Sequence, residues 1–233
     1  MMNNLGVIFD LDGVIVDTAK YHYLAWKTLA DELDITFTET HNERLKGVSR
    51  ESSLDILLEL GLVTLSQAQR KLVLEQKNKD YLSFIAKMGP EEILPGVTPL
   101  LDLLDRLAIP YVLGSASKNA ALILKQVNLF DRFKGIVDGN SVTKAKPDPE
   151  VFLLGAQLLH RSPDQCIVFE DAIAGIEAAH RAQMIAVGVG HKDTLKAADY
   201  NVNHLTEITE GFFTALISEK RTDNNESKLY KAR

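Results

Sequence analysis

The sequence is short of cysteine, of basic charge and of long apolar runs, and each shortage excludes something. A single cysteine, Cys166, cannot close an internal disulfide and rules out thiol-rich zinc sites. The longest stretch free of Asp, Glu, Lys, Arg and His spans 11 residues, 107–117, far below the roughly 20 apolar residues of a membrane-spanning helix. No basic segment precedes an apolar one at the start, so no signal peptide is expected and the cytoplasm is the expected compartment. Lysine and arginine number 26 against 32 aspartates and glutamates, a net charge of −6. That is the wrong sign for a nucleic-acid partner. A small phosphorylated ligand stays open, provided that cations are gathered locally. What is left is a 233-residue chain, 45% hydrophobic and 25% charged, long enough to bury a core without disulfides or structural metal.

Five short runs, 5–9, 111–114, 135–137, 166–169 and 184–189, are nearly unbroken apolar, the pattern of strands covered on both faces. Helical patterns at 97–107, 120–129, 149–160 and 172–182 separate them from the second run on. The expected fold is therefore α/β, a Rossmann-like parallel sheet with helices on both sides. Between the first run and Pro95-Gly96 lie about eighty residues with helical signals alone. Helices are expected at 18–33, at 51–60 with Gly61 as terminator, and at 66–88 before Gly89-Pro90. Capping boxes are read at Thr40-His41-Asn42-Glu43 and Ser66-Gln67-Ala68-Gln69. This segment reads as an inserted lid, because ligands of open α/β sheets bind beyond the carboxyl ends of the strands. The expected organisation is a core of residues 1–16 and 93–218, a helical cap of 17–92 and a disordered, charge-rich tail of 219–233.

Chemistry concentrates where strands end. In Phe9-Asp10-Leu11-Asp12-Gly13, two aspartates spaced by two close a buried strand and leave it on the same face. Paired like charges cost free energy unless a cation or a shared proton offsets them. Gly114-Ser115-Ala116-Ser117 ends the second run with hydroxyls and N–H groups suited to an anion. Lys146 stands on the proline-stiffened loop Lys146-Pro147-Asp148-Pro149, and Phe169-Glu170-Asp171 adds two acids at a fourth strand end. Acids at neighbouring strand ends suit a hard divalent cation such as Mg²⁺. The histidines His41, His160, His180, His191 and His204 show no metal spacing, and Cys166 reads as an inert core residue.

The order Asp-x-Asp, Ser, Lys, Glu-Asp, each at or just beyond a strand end, resembles the haloacid-dehalogenase (HAD) superfamily of phosphotransferases. The resemblance covers nearly all of the chain except the tail. It implies Asp10 as the nucleophile that becomes an aspartyl-phosphate and Asp12 as general acid and base. It further implies Mg²⁺ held by Asp10, the backbone carbonyl of Asp12 and Asp171, with Glu170 a ligand or the partner of one. Ser115 and Lys146 would hold the transferring phosphoryl group. Asp12 counts against dehalogenase chemistry, since dehalogenases of the superfamily lack it. Ala172 departs from the serine that often follows the last aspartate.

The cap narrows the resemblance. Val14-Ile15-Val16-Asp17-Thr18, then His22 and Trp26, then Leu45-Lys46-Gly47-Val48-Ser49-Arg50-Glu51-Ser52-Ser53, with Ser115-Ala116-Ser117-Lys118-Asn119 in the core, are similar to the β-phosphoglucomutases. That family interconverts β-glucose 1-phosphate and glucose 6-phosphate through a bound β-glucose 1,6-bisphosphate, which also primes it. Such a substrate needs a second anion grip, and Arg50 with Ser117, Lys118 and Asn119 supplies one; arginine suits it by its planar fork. The same comparison implies substrate contacts from Thr18, Lys46, Gly47, Val48, Ser49, Ser53 and Ala116. Lys46 would reach a hydroxyl or a carboxylate while Gly47 lets backbone approach the sugar. His22 would tune proton transfer at Asp12 or the closed lid, and Trp26 would be cap core or face the sugar. The expected partner is a small sugar phosphate, and the expected state a monomer. A sugar-phosphate phosphatase on the same fold is the runner-up. A non-catalytic binding protein is disfavoured, because Asp10, Asp12, Lys146 and Asp171 are all retained.

Overall fold

The computed structural model describes residues 4–45 and 48–216. Lys46 and Gly47, and the expected tail, lie outside the described residues. Six parallel strands form one sheet in the order β3-β2-β1-β4-β5-β6. They are β1 (Gly6–Phe9), β2 (Tyr111–Gly114), β3 (Ile136–Val137), β4 (Cys166–Glu170), β5 (Ile185–Val189) and β6 (Tyr200–Val202). The first five fall on the five apolar runs. The sixth has no such run: it is an edge strand whose residues are only half-buried, so nothing forces its sequence to be apolar.

The chain starts in the middle of the sheet, moves out to β3 on one side, and returns to lay β4 against β1. That reversal opens the crevice in which open α/β sheets bind ligands. Register aligns the rims: Phe9 pairs with Leu113 of β2 and with Phe169 of β4. Asp10, Ser115 and Glu170 thus emerge at one edge.

Alternate strand residues feed two cores. Val7, Phe9, Leu113 and Phe169 pack beneath α5 (Val97–Arg106), α6 (Ala120–Gln126) and a helical segment at 210–216. Ile8, Val112 and Val168 pack against α7 (Glu150–Leu159) and α8 (Ile173–Arg181). Phe9 anchors the first core, stacked on Phe169 at 5.2 Å and edge-on to Tyr111 and Phe133, pairings that contribute about 0.5–1.5 kcal/mol each beyond burial.

Between β1 and β2 stand α1 (Ala19–Glu32), α2 (Glu39–Glu43), α3 (Arg50–Gly61) and α4 (Gln67–Ile85); apolar residues of α1, α3 and α4 share a third core around Trp26, Leu29, Leu54 and Leu57. The two passages between this helical segment and the sheet run side by side. Val16 bridges Ile93, Leu94 N–H donates to the Ile15 carbonyl, and Glu92 receives Lys20 Nζ and the Tyr21 hydroxyl.

Two helix ends differ from the sequence reading. The expected capping box at Thr40 is not the one used. Thr38 caps α2 two residues earlier with His41 as its partner, because an imidazole nitrogen accepts from the Thr38 N–H as a Glu or Gln oxygen would. The box at Ser66 and Gln69 forms as expected. Gly61 is not the left-handed terminator of α3. It lies inside the helix, where a Cβ would overlap Ile35 Cγ1, and Leu62 takes the left-handed position at φ 53°. Gly61 serves packing instead. Gly61→Ala is therefore expected to destabilise the protein by about 1–2 kcal/mol, overpacking outweighing the ~1 kcal/mol of better helix propensity. Leu62→Gly should stabilise it by up to about 1 kcal/mol, since the leucine is exposed and pays for its left-handed backbone. Urea denaturation of both variants checks the pair; opposite signs would make Gly61 the terminator.

Candidate active site

At the carboxyl edge of the sheet, Lys146 reaches in from the loop before α7. Its ammonium lies 2.5 Å from Asp10 Oδ1 and 2.6 Å from Glu170 Oε1. Both carboxylates and the lysine side chain are nearly solvent-free, and the two negative partners hold the lysine pKa above its usual value despite burial. Glu170 has its second oxygen occupied by the Ala172 N–H at 2.8 Å. Glu170 thus ties Lys146 to the loop after β4.

Asp12 occupies the start of the first passage out of the sheet. Thr18 is the N-cap residue of α1, yet its side chain makes no cap bond and its hydroxyl donates to Asp12. Asp17 takes over part of the capping by accepting from the Ala19 N–H. Burial and the neighbouring Asp10 charge raise the Asp12 pKa to about 7. Asp171 is raised to about 8, by burial and then by Glu170, Asp10 and Asp12. It sits against the Asp12-Gly13 turn, where a Cβ at Gly13, already at φ 77°, would overlap Asp171 Oδ2.

These four carboxylates face one ammonium, and the uncompensated charge fits a hard cation. Among the described residues no three His, Cys, Asp or Glu side chains form a ready cage. Two carboxylates, Asp10 and Asp171, with the Asp12 carbonyl make the sparse oxygen set that suits Mg²⁺, which prefers to complete its shell with water and phosphate.

The loop after β2 is held by its own hydroxyls. Buried Ser115 accepts from the Ser117 N–H at 3.1 Å, and Ser117 accepts from the Asn119 N–H at 3.2 Å. Ala116 and Lys118 are exposed, and the Lys118 carbonyl accepts from Asn140 Nδ2.

From the helical segment, His22 of α1 points at α4. Its Nδ1 is 3.1 Å from Lys77 Nζ, and its ring stacks on Tyr81 with centroids 4.2 Å apart. Lys77 also covers the Trp26 ring at 4.6 Å. Trp26 is thus cap core, 3% exposed, with its free face taken by a lysine. Arg50, half-buried at the start of α3, lies within electrostatic reach of His22, Lys77 and Tyr81. Ser49 caps α3 through the Ser52 N–H, Ser53 is buried on that helix, and Val48 is exposed. His22 is held neutral, its pKa driven well below 6.5 by burial and by the Lys77 and Arg50 charges.

Lys77 and Tyr81 carry no mark in the sequence reading. Their signal is a stripe on a mostly polar helix, since 77, 81 and 85 repeat every four residues and all three are buried. Burial, and then the Arg50 charge, lower the Lys77 pKa from 10.5 to about 7. With the folded pKa below the unfolded one, the penalty for burying the ammonium is fully present below pH 7 and fades as pH rises toward 10. Lys77→Met is expected to raise Tm, most below pH 7 and least near pH 10. Melting curves across pH check this; a uniform gain would mean that Lys77 is not buried as a titrating group.

A haloacid dehalogenase-like hydrolase family model matches residues 5–183. A β-phosphoglucomutase of Bacillus subtilis is 45% identical over 87% of this chain and 91% of its own. A phosphorylated carbohydrates phosphatase of Thermotoga maritima is 31% identical over 79% of this chain and 85% of its own. The crystal structure of a β-phosphoglucomutase from Clostridium difficile superposes with a TM-score of 0.88 at 40% identity, covering 93% of this chain and 98% of that one. With Asp10, Asp12, Lys146 and Asp171 gathered at one sheet edge and a family match over most of its length, the chain belongs to the haloacid dehalogenase-like hydrolases.

Proposed function

We propose that the protein is a β-phosphoglucomutase that moves a phosphoryl group between the 1- and 6-positions of glucose by way of Asp10. The observation that carries this reading is a second cationic group besides the lysine at Asp10. Lys146 holds Asp10 from the core, while Arg50 and Lys77, on the helices between β1 and β2, lie within electrostatic reach of each other, and Lys77 of Asp12. A phosphatase needs the first; a substrate with a second phosphate needs both. The 45%-identical Bacillus subtilis relative supports the same choice. Residues 17–92 then act as the cap that closes this second grip over the sugar.

Asp10 attacks phosphorus through a carboxylate oxygen, forming an O–P bond as the bond from phosphorus to the sugar oxygen breaks. Asp12 gives its proton to that departing oxygen. In the second half-reaction Asp12 takes a proton from the 6-hydroxyl of β-glucose 1-phosphate, whose oxygen attacks the aspartyl-phosphate, giving the bisphosphate and freeing Asp10. A pKa near 7 lets one carboxyl serve both directions at neutral pH. Lys146 and Ser115 hold the transferring phosphoryl oxygens, and Glu170 holds Lys146. Asp10, the Asp12 carbonyl and Asp171 would hold Mg²⁺, which when bound offsets the charge between the carboxylate and the phosphoryl group. β-Glucose 1,6-bisphosphate primes the enzyme by phosphorylating Asp10.

Asp10→Asn removes charge but little volume, so the fold should survive while turnover falls to background. Product analysis with β-glucose 1-phosphate, primed by the bisphosphate, should give glucose 6-phosphate from the wild type. Release of free phosphate instead would favour the phosphatase. Turnover within a few-fold of wild type in Asp10→Asn would remove Asp10 as nucleophile.

Arg50→Ala should separate the two grips. Loss of two charge-assisted hydrogen bonds of about 1.5–3 kcal/mol each would lower mutase kcat/KM by roughly 10²–10⁴-fold. Arg50→Lys should restore only part of it, lacking the bidentate fork. Turnover of acetyl phosphate, which has no second phosphate, measures the Asp10 site alone. Equal losses in both reactions would place Arg50 in the fold or at the transferring phosphate.

A further inference from the structure

Asn119 ends the loop that follows β2 and stands at the N-cap of α6, a position at which asparagine ordinarily bonds to the helix it opens. Here its side chain makes no cap bond. Its Nδ2 instead donates to Asn78 Oδ1 on α4, 3.4 Å away and 41 residues distant in sequence. Asn78 directly follows Lys77, and Asn119 directly follows Lys118. This hydrogen bond ties a cap helix to the core.

An amide at a phosphate site has two faces. The NH₂ end attracts an anion and the carbonyl end repels it, and the two differ only by a rotation about one bond. Asn78 offers an acceptor, so it takes one of the two Nδ2 hydrogens and leaves the other for a ligand. The Ser117 hydroxyl already fixes the Asn119 backbone through its N–H. A neutral partner does this without adding charge beside a phosphate, as an aspartate would. We infer that Asn78 is a positioning residue that turns the Asn119 amide toward the non-transferring phosphate and ties that orientation to cap closure.

This rests on the mutase reading and deepens it. The second grip is built from two halves, Arg50 and Lys77 on the cap and Ser117, Lys118 and Asn119 on the core. The amide pair sets them in register. When the cap lifts, Asn78 leaves, the Asn119 amide is free to rotate, and the distal phosphate loses both halves together.

The test uses the full-length enzyme with Mg²⁺, β-glucose 1-phosphate and β-glucose 1,6-bisphosphate, and acetyl phosphate as the substrate with one phosphate. In Asn78→Ala, KM for the bisphosphate should rise about tenfold, kcat should fall less than threefold, and the ratio of isomerisation to acetyl phosphate turnover should fall about tenfold. Tm should change little, because Asn78 is only half-buried and alanine is the best helix former. Adding Asn78→Ala to Asn119→Ala should cost less than a further twofold, since both remove the same oriented amide. Additive losses would overturn the coupling. Equal losses in both reactions, or none in either, would overturn the positioning role while leaving the mutase reading intact. A wild type that releases phosphate from the sugar without isomerising it would overturn both.

Discussion

The buried ammonium of Lys146 is the interaction on which the rest of the site depends. It draws together residues 136 and 24 positions away in the chain, Asp10 at the end of β1 and Glu170 at the end of β4. A buried carboxylate alone would be neutralised by protonation. Paired through one lysine, two of them are held by hydrogen bonds at strand ends that otherwise avoid charge. Removing one partner of such a set leaves an uncompensated buried charge, a loss of about 3–5 kcal/mol. The cost of assembling the site is thus met by the site itself, and by the apolar sheet that brings its members to one edge.

The remaining carboxylates are left under-compensated, and that imbalance is useful. Asp12 and Asp171 stand close to the ammonium but do not share it, and both are pushed toward neutral pH. For Asp171 the excess charge is an invitation to a cation. For Asp12, tethered by Thr18, it sets a proton affinity matched to reversible transfer. Thr18 and Asn119 show the same economy at two helix starts. Each occupies a capping position, each withholds its side chain from the helix, and each turns it to a distant partner, Asp12 or Asn78.

The sheet was legible in the sequence because strands covered on both faces must be continuously apolar, and five of six obey this rule. The sixth, Tyr200–Val202, sits at an edge where the rule lapses. The core of the site was equally legible, because Asp10, Asp12, Lys146, Glu170 and Asp171 are polar residues at the ends of apolar runs. The helical segment was harder. Gly61 carries the usual sign of a helix end but answers to Ile35 across the cap, a contact no local pattern reveals. Lys77 looks like one solvated lysine among many on α4 until His22 and Trp26 are seen beside it. Asn78 and Asn119 meet across 41 residues, and pairings of that range become visible only in three dimensions.

The chain leaves the sheet after β1 and returns to it before α5 through neighbouring strands of backbone, Val16 beside Ile93 and Ile15 beside Leu94. A long excursion whose two ends already touch behaves, for the sheet, like a loop of almost no span. Lengthening such an excursion adds only about 0.6 kcal/mol of closure entropy per doubling. The stem therefore sets no limit on what hangs from it. A helical excursion of another size or sequence could leave from and return to the same two positions while the sheet edge that carries Asp10, Lys146 and Glu170 stays as it is.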